Sequence, residues 1–290
     1  MNPTTTAVSQ VSELIRRRRS CRSFAGRALE AQVLEGLERT AAGVEAPFGS
    51  RPRFGVIDNE KVRAANLFSA GSYGMIKGAR YYLAALVRRG EPRRWEDAGF
   101  ALEAAVLHAA GLGLGSCWIG GVFDRKRFGR LLGIRAGEQL PAVVAVGLPA
   151  DRRSLRDRLV RWSARGDRRK PAADLFFTGG WDSPMAMESA GLWAQVLECV
   201  RLAPSASNKQ PWRIVRLGSD FHFFLARDKA YSAMMPLADL QRIDLGIAMC
   251  HFELSAMELG LKGSWSVVEP DIPHAPAHFE YIASFVDGGK

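Results

Sequence analysis

Apolar residues recur along the chain at two spacings, which predict alternating helices and strands. Apolar positions three or four residues apart indicate helices, and short continuous apolar runs indicate strands. In the first part of the chain, the helices are predicted at 8–19, 29–42, 95–112 and 124–132, and the strands at 53–57, 78–87, 116–119 and 141–148. In the second part, the helices are predicted at 185–202 and 237–259, and the strands at 212–217, 221–226, 264–268 and 279–285. We therefore predict an α+β fold of mixed sheets flanked by helices, not a doubly wound parallel sheet.

This pattern repeats at a constant offset of 147 residues (244 − 97, 260 − 113 and 265 − 118). Residues 97–101 recur at 244–248, and residues 113–118 recur at 260–265, each time around a long helix and the strand after it. A repeat of this length indicates two similar units packed like the two subunits of a dimer. The expected halves are 1–174 and 175–290, in a chain that acts as a monomer.

Composition excludes several classes of protein. With 290 residues, 47% of them hydrophobic, the chain can bury a full core. No apolar run approaches the eighteen or so residues of a membrane span, and the N-terminus has no apolar secretory segment. The four cysteines are widely separated and no histidine has ligand spacing, so we expect reduced thiols, a cytoplasmic protein and no metal site.

The charge is strongly basic, with 40 Lys and Arg against 30 Asp and Glu and a net charge of +10. Such a balance favours anionic ligands, including nucleotides, phosphates and nucleic acid. No aromatic platform or known nucleic-acid motif accompanies the arginines, so we do not expect nucleic-acid binding.

One arginine cluster, residues 16–24, lies where the first predicted helix ends. A basic helix end is often only a solvated end that suits the helix dipole. Here, however, Ser20 offers a hydroxyl donor, and Arg22 lies outside the helix, from where it can turn back to the same point. Guanidinium and hydroxyl donors that converge in this way suit a terminal phosphate.

A polar turn, residues 203–212, lies between a helix and a strand, and prolines at 204 and 211 bracket it. It can be interpreted as an ordinary loop rich in turn-forming residues. Its density of hydroxyl and amide groups also suits the edge of a heteroaromatic ring. The residues concerned are Ser205, Ser207, Asn208 and Gln210.

The glycine-rich stretch 111–121 resembles a dinucleotide-binding fingerprint only superficially. That fingerprint needs a strand before it and a helix after it, whereas here the helix comes first. Gly111 and Gly113 are therefore predicted to end the helix. Gly120 and Gly121, beyond the next strand, would let backbone N–H groups approach a flat ligand.

A last basic stretch covers residues 152–170 and has two interpretations. It is a solvated linker, or its end returns to the phosphate. For the second interpretation the candidates are Arg169 and Lys170, with Arg168 as an alternative.

Taken together, these motifs resemble the nitroreductase family of FMN-dependent oxidoreductases. The matching patterns are Arg-Arg-Ser-x-Arg-x-Phe at 18–24, Gly-Leu-Gly-x-x-Trp-Ile-Gly-Gly at 113–121, Arg-Lys-Pro at 169–171 and Pro-Ser-x-x-Asn-x-Gln-Pro-Trp at 204–212. The resemblance implies a nitroreductase-like fold with FMN bound between the halves. It places the phosphate on Arg18, Arg19, Ser20, Arg22, Arg169 and Lys170. It places the ring beside Gly120, Gly121, Pro204, Ser205, Ser207, Asn208 and Gln210.

The chain departs from the family pattern in that each half keeps only part of the site. Residues 42–52 replace the polar turn without an Asn-x-Gln, and the second half has no Arg-Arg-Ser helix end. This is similar to a subgroup of tandem nitroreductases and implies one FMN per chain. The implied activity passes electrons from NADH or NADPH to a small acceptor, such as a nitroaromatic or a quinone. No side chain is evident as a catalytic acid, base or nucleophile. The alternative is a flavin-binding sensor or carrier without turnover.

Overall fold

The computed structural model describes residues 11–60, 76–121, 123–150 and 168–288. The first three residues of the predicted helix 8–19 and most of the basic stretch 152–170 lie outside the described residues. All structural statements below concern the described part of the chain.

The α-helices have the following bounds: α1 Val11–Arg17, α2 Ala31–Gly43, α3 Arg94–Gly111, α4 Arg125–Leu131, α5 Trp193–Arg201, α6 Lys229–Met234 and α7 Leu240–Glu258. Short 3₁₀ turns cover Ala172–Asp174, Met187–Ala190 and Ala206–Asn208. Three helices begin at an aspartate that accepts a hydrogen bond from a backbone N–H of the first turn, as helix N-caps commonly do. These are α4, α6 and α7, capped by Asp124, Asp228 and Asp239.

The strands have the following bounds: β1 Arg53–Asp58, β2 Tyr81–Arg88, β3 Gly115–Ile119, β4 Glu138–Gln139, β5 Val143–Gly147, β6 Phe176–Thr178, β7 Trp212–Leu217, β8 Asp220–Ala226, β9 Gly263–Ser266 and β10 Phe279–Asp287. One sheet has the order β1-β2-β5-β3, with β4 pairing with β2. The other has the order β6-β7-β8-β10-β9. If β4 and β6 are left out, each sheet has four strands. In both sheets, the fourth strand along the chain lies between the second and the third.

The α+β class is confirmed, but only one of the two sheets is mixed. In the second sheet β6 pairs with β7 in parallel and the other named strands pair antiparallel. The named strands of the first sheet all pair antiparallel, so the prediction of mixed sheets is wrong for that sheet. The predicted hairpin of β7 and β8 is also confirmed. The predicted helix 185–202 is wrong in its first part. Gly191 has φ +61°, a left-handed conformation that separates a 3₁₀ turn from α5. The short elements β4, β6 and α6 were not predicted, because so few residues show no clear periodicity.

The two longest helices, α3 and α7, cross at the centre of the molecule. A Cβ on Gly99 would overlap the carbonyl oxygen of Ile243, and a Cβ on Gly246 would overlap that of Glu96. The repeat offset of 147 residues makes Gly246 the equivalent of Gly99 and Ile243 the equivalent of Glu96. The two contacts are therefore the same contact made in both directions. In a two-fold interface, residue i of one unit meets residue j of the other, and j meets i. The two halves of this chain therefore contact each other as the subunits of a symmetric dimer do.

An ion pair joins the halves beside this crossing. Arg242 Nη1 lies 2.5 Å from Glu96 Oε1, and the Glu96 side chain is fully buried. Burial raises the pKa of Glu96, and the charge of Arg242 opposes that rise. Breaking a buried pair of this kind leaves an uncompensated charge, so the contact fixes how the halves meet.

Candidate functional site

The arginine cluster, residues 16–24, spans the end of α1 at Arg17, and the chain then runs beside the start of β3. Ser20 pairs with Ser116 as an isolated bridge, and Cys21 N donates to the carbonyl of Ser116 at 2.8 Å. Arg19 is exposed and donates to the carbonyls of Arg16 and Arg18. Arg19 therefore caps the helix end in this structure, which leaves Arg18 and Arg22 as the guanidinium groups turned inward.

Both of these inward-facing arginines hold a donor without a partner. Arg18 Nε and Arg22 Nη1 are buried atoms with no hydrogen-bond partner in the described residues. The Arg18 side chain is only 7% exposed, and burial lowers its pKa, against the opposing charge of Glu103. A buried unsatisfied donor is costly, and native proteins rarely retain one without a ligand, a water or an ion. The part of the arginine cluster around Arg18 and Arg22 therefore fits an anionic ligand.

Glu103 connects this cluster to the second half. Its carboxylate accepts from Trp118 Nε1 at 2.7 Å and lies 3.0 Å from His251 Nε2. The other ring nitrogen of His251 lies 2.9 Å from the carbonyl oxygen of Cys199 and must donate to it, since a carbonyl only accepts. Glu103 and His251 are both fully buried, so this network links the carboxyl group beside Arg18 to the second half across the junction of the halves.

The polar turn has an unusual backbone. Ser207, Asn208 and Gln210 have φ values of +50°, +54° and +48°, in the left-handed region that non-glycine residues rarely adopt. Such strain costs on the order of 1–3 kcal/mol per residue and clusters at functional sites. Two hydrogen bonds offset part of this strain. Gln210 N donates to Ser205 Oγ at 2.9 Å, and Ala206 N donates to the carboxylate of the buried Asp244 at 3.0 Å.

The end of the basic stretch lies directly on this turn. Arg169 Nη1 donates to Asn208 Oδ1 at 2.9 Å, and Lys170 N donates to Gln210 Oε1 at 2.9 Å. Asn208 Nδ2 donates to the carbonyl of Arg168 at 2.6 Å. The structure thus brings two predicted motifs together. It also shows a role that the sequence did not suggest, because the amides of Asn208 and Gln210 hold residues 168–170 in place.

The arginine cluster and the polar turn lie at the same end of two neighbouring helices. Early in α1, Ser12 Oγ accepts from Gln195 of α5 at 3.5 Å. Later in α1, Ile15 belongs to the same buried cluster as Cys199, and the nearby charge of Arg16 opposes the rise that burial causes in the pKa of the Cys199 thiol. The helices therefore run in the same direction, and their C-terminal ends lie together. Arg169 Nη2 donates to the carbonyl of Leu202, just beyond α5, at 3.0 Å. Residues 18–22 come from the first half and residues 204–210 from the second.

Gly120 and Gly121 pack against a segment of the second half, residues 228–239, which we call the strap. A Cβ on Gly121 would lie 3.0 Å from Met235 Cε, within the strap, and one on Gly120 would lie 2.7 Å from Leu240, just after it. The strap also contacts the polar turn, because Lys209 pairs with Asp228 at 2.9 Å and Tyr231 bonds to Ser207. The strap therefore connects the predicted glycine pair to the predicted polar turn.

The position related to this site by the repeat is built differently. Val267 and Val268 stand where the offset of 147 places the equivalents of Gly120 and Gly121. In the first half, the turn equivalent to the polar turn is held by Asp97, which accepts from Phe48 N and Ser50 N at 3.0 and 2.8 Å. The two turns thus share their support but not their polar side chains.

Two further properties concern the described residues as a set. None of their helices combines the length and the apolar character that crossing a bilayer requires. Nor do they hold a group of three or more His, Cys, Asp or Glu side chains arranged as a metal site.

Comparison with known families identifies the chain. Its sequence matches the family model described as "Putative TM nitroreductase" over residues 10–256. The chain belongs to this nitroreductase family. The crystal structure of a "putative nitroreductase" from Thermotoga maritima superposes with a TM-score of 0.60 at 18% identity, covering 96% of this chain and 94% of that one. The nitroreductase-like fold is therefore confirmed.

Other solved structures match about half of the chain. A nitroreductase with bound FMN from Bacteroides fragilis is 21% identical, with a TM-score of 0.41, over 50% of this chain and 91% of that one. Iodotyrosine deiodinase bound to FMN and 3-iodo-L-tyrosine is 18% identical, with a TM-score of 0.40, over 50% and 92%. A comparison with curated proteins finds no match.

In this member of the nitroreductase family, sequence reasoning missed the buried residues behind the site and behind the equivalent turn of the first half. Asp97 and Asp244 were visible as equivalent carboxylates in apolar helices, a pattern that indicates a buried and bonded role. Glu103 and His251 gave the same signal, each standing alone on an apolar helix.

Proposed function

We propose that the chain is an FMN-dependent oxidoreductase that passes electrons from NADH or NADPH to a small acceptor such as a nitroaromatic or a quinone. One observation carries the proposal: the polar turn and residues 168–170 lie at the same helix ends as Arg18 and Arg22, each of which holds a buried donor without a partner in the described residues. The family membership supports it independently.

The residues present fit FMN. Arg18 and Arg22 hold the unpartnered donors that a phosphate would take. Lys170, whose amine lies 3.5 Å from the carbonyl oxygen of Gln210, would be a further cation for it. Gly120 and Gly121 would give a flat ring access to the backbone, and the polar turn would border its edge. Bound FMN would supply the redox chemistry, and the protein would supply binding, orientation and the local field. The strap would cover the ring and limit the entry of water.

The assignment is tested by purifying the protein, recording its visible spectrum and following oxidation of NADH and NADPH with nitro and quinone acceptors. We expect a yellow protein that consumes a reduced nicotinamide only when an acceptor is present. A colourless protein that also fails to bind added FMN would refute the cofactor. A yellow protein without turnover would indicate the sensor or carrier instead.

We expect one FMN per chain, in a monomeric pseudo-dimer. The equivalents of the glycine pair are Val267 and Val268, whose side chains obstruct the backbone approach that Gly120 and Gly121 permit. The measurement is the ratio of released FMN to protein after reconstitution with excess cofactor. A ratio near two would show that the second position also binds flavin.

FMN affinity is expected to fall as the pH rises above 8. Burial, with the nearby charge of Arg213, lowers the pKa of Lys170 to about 8. A phosphate favours the protonated amine, so its association constant should be level at pH 7 and fall by up to about tenfold per pH unit above 8. Lys170→Arg keeps the charge and should flatten the profile, which FMN titrations at pH 7, 8 and 9 would measure. An equal slope in both proteins would remove Lys170 from the phosphate site.

A further inference from the structure

Arg125, the first residue of α4, holds two backbone carbonyls beside the glycine pair. Its terminal nitrogen Nη2 donates to the carbonyl oxygen of Gly120 and, at 3.1 Å, to that of Pro141. Gly120 directly follows β3 and Pro141 lies two residues before β5, at the end of the sheet where Ile119 pairs with Val143. Arg125 therefore fixes the backbone at the point where β3 leads into the glycine pair.

The bond to Gly120 also fixes the direction of the next N–H group. In a trans peptide, the C=O of one residue and the N–H of the next point in opposite directions. Because the Gly120 carbonyl faces Arg125, the N–H of Gly121 points away from α4. This N–H makes no hydrogen bond within the described residues. Gly121 thus presents an oriented donor to whatever lies on the other side of the peptide.

The charge of Arg125 has no counterion in the described part of the chain. The adjacent carboxylate, Asp124, caps α4 by accepting from Arg127 N at 3.0 Å. The Arg125 guanidinium carbon lies 4.5 Å from the centre of the Phe123 ring, and its Nε is a buried donor without a partner among these residues. Burial lowers the pKa of Arg125. A half-buried cation of this kind is costly unless a negative group compensates it.

We propose that Arg125 is a positioning residue of the flavin site. It holds the Gly120–Gly121 peptide so that the Gly121 N–H donates to the bound ring, and its charge favours the reduced ring over the oxidised ring. The proposal rests on the proposed function, since it needs FMN beside the glycine pair.

The preference for the reduced ring follows from charge. When the ring takes up a hydride from the reduced nicotinamide, two electrons and one proton are added, so the neutral ring gains one negative charge. A fixed N–H donor and a cation behind it stabilise that charge more than they stabilise the neutral ring, because neither has to reorient.

The test is the midpoint potential of bound FMN, measured by spectra of the loaded protein during reduction beside a reference dye. Arg125→Gln should lower the preference for reduced over oxidised FMN by about tenfold, a fall of about 30 mV for a two-electron couple. Arg125→Lys keeps the charge, but its ammonium ends one atom short of Nη2 and so loosens the hold on the carbonyls. It should lose about threefold, or roughly 15 mV.

Arg130→Gln is the matched control, because it removes the same charge from an exposed position of the same helix. Its potential should equal that of the wild type. If Arg125 only tied β3 to β5, its replacement would weaken the binding of oxidised and reduced FMN alike, and the potential would not move.

A wild-type potential in either Arg125 variant, or an equal fall in Arg130→Gln, would overturn the proposal. Arg125→Lys keeps the test decisive should Arg125→Gln fold poorly. Absence of FMN from the wild type would refute the proposed function and this proposal with it. A wild type that holds FMN, with an unmoved potential in the variants, would refute the role of Arg125 alone.

Discussion

Replacing Gly246 with alanine is expected to destabilise the protein by about 3 kcal/mol, although the same change normally stabilises a helix by about 1 kcal/mol. A Cβ at this position would overlap the carbonyl oxygen of Glu96 in the crossing helix. The obstacle is backbone inside a hydrogen-bonded helix, so it cannot move as a flexible side chain would. The two halves would have to separate along the surface where both bury their longest helix.

The measurement is thermal and urea unfolding of the wild type and of Gly246→Ala. For a chain of this size, about 3 kcal/mol corresponds to a fall in Tm of roughly 6–12 °C. Gly36→Ala is the matched control, a glycine inside α2 whose Cβ would meet only His108 at 3.7 Å, an ordinary contact distance. It should be neutral or raise the Tm by roughly 2–4 °C. If both variants behaved alike, close approach of α3 and α7 would not hold the halves together.

Much of the fold could be predicted because it rests on periodicity, which is a local property. The buried helices α3 and α7 and the strands β5 and β7 are long enough for their spacing to identify them. The constant offset of 147 residues predicted two similar halves, and the reciprocal contacts of Gly99 and Gly246 agree with that prediction. No spacing rule could show that these glycines mark the crossing, because the atoms they approach belong to a distant part of the chain.

The candidate site was predictable only to the level of motifs. Turn chemistry identified residues 204–212 as rigid and polar, but three left-handed residues and the bonds of Asn208 to residues 168–169 depend on tertiary contacts. The strap was missed for a similar reason. Its helix α6 covers only Lys229–Met234 and is held by pairs such as Arg227 with Asp239, whose partners the sequence does not reveal.

Replacing Arg22 with glutamine is expected to weaken FMN binding by roughly 10- to 150-fold. Arg22 Nη1 is a buried donor without a partner in the described residues, so its substitution breaks no ion pair seen within the protein. A hydrogen bond to a charged group contributes about 1.5–3 kcal/mol, which sets the expected range. Glutamine keeps a polar side chain but removes the charge and the fork of donors that suits a phosphate.

Arg17→Gln is the control for this prediction. Arg17 is exposed in the last turn of α1, and its substitution removes the same charge from the same helix end. Fluorescence titration of FMN with each protein gives the dissociation constants, and repeating it with riboflavin, which lacks the phosphate, separates the contacts. Arg22→Gln should change FMN affinity far more than riboflavin affinity, while Arg17→Gln should change both only slightly. Equal losses for the two ligands would place Arg22 beside the ring or in the scaffold. Equal FMN losses in the two variants would show that general positive charge, and not the buried donor of Arg22, attracts the phosphate.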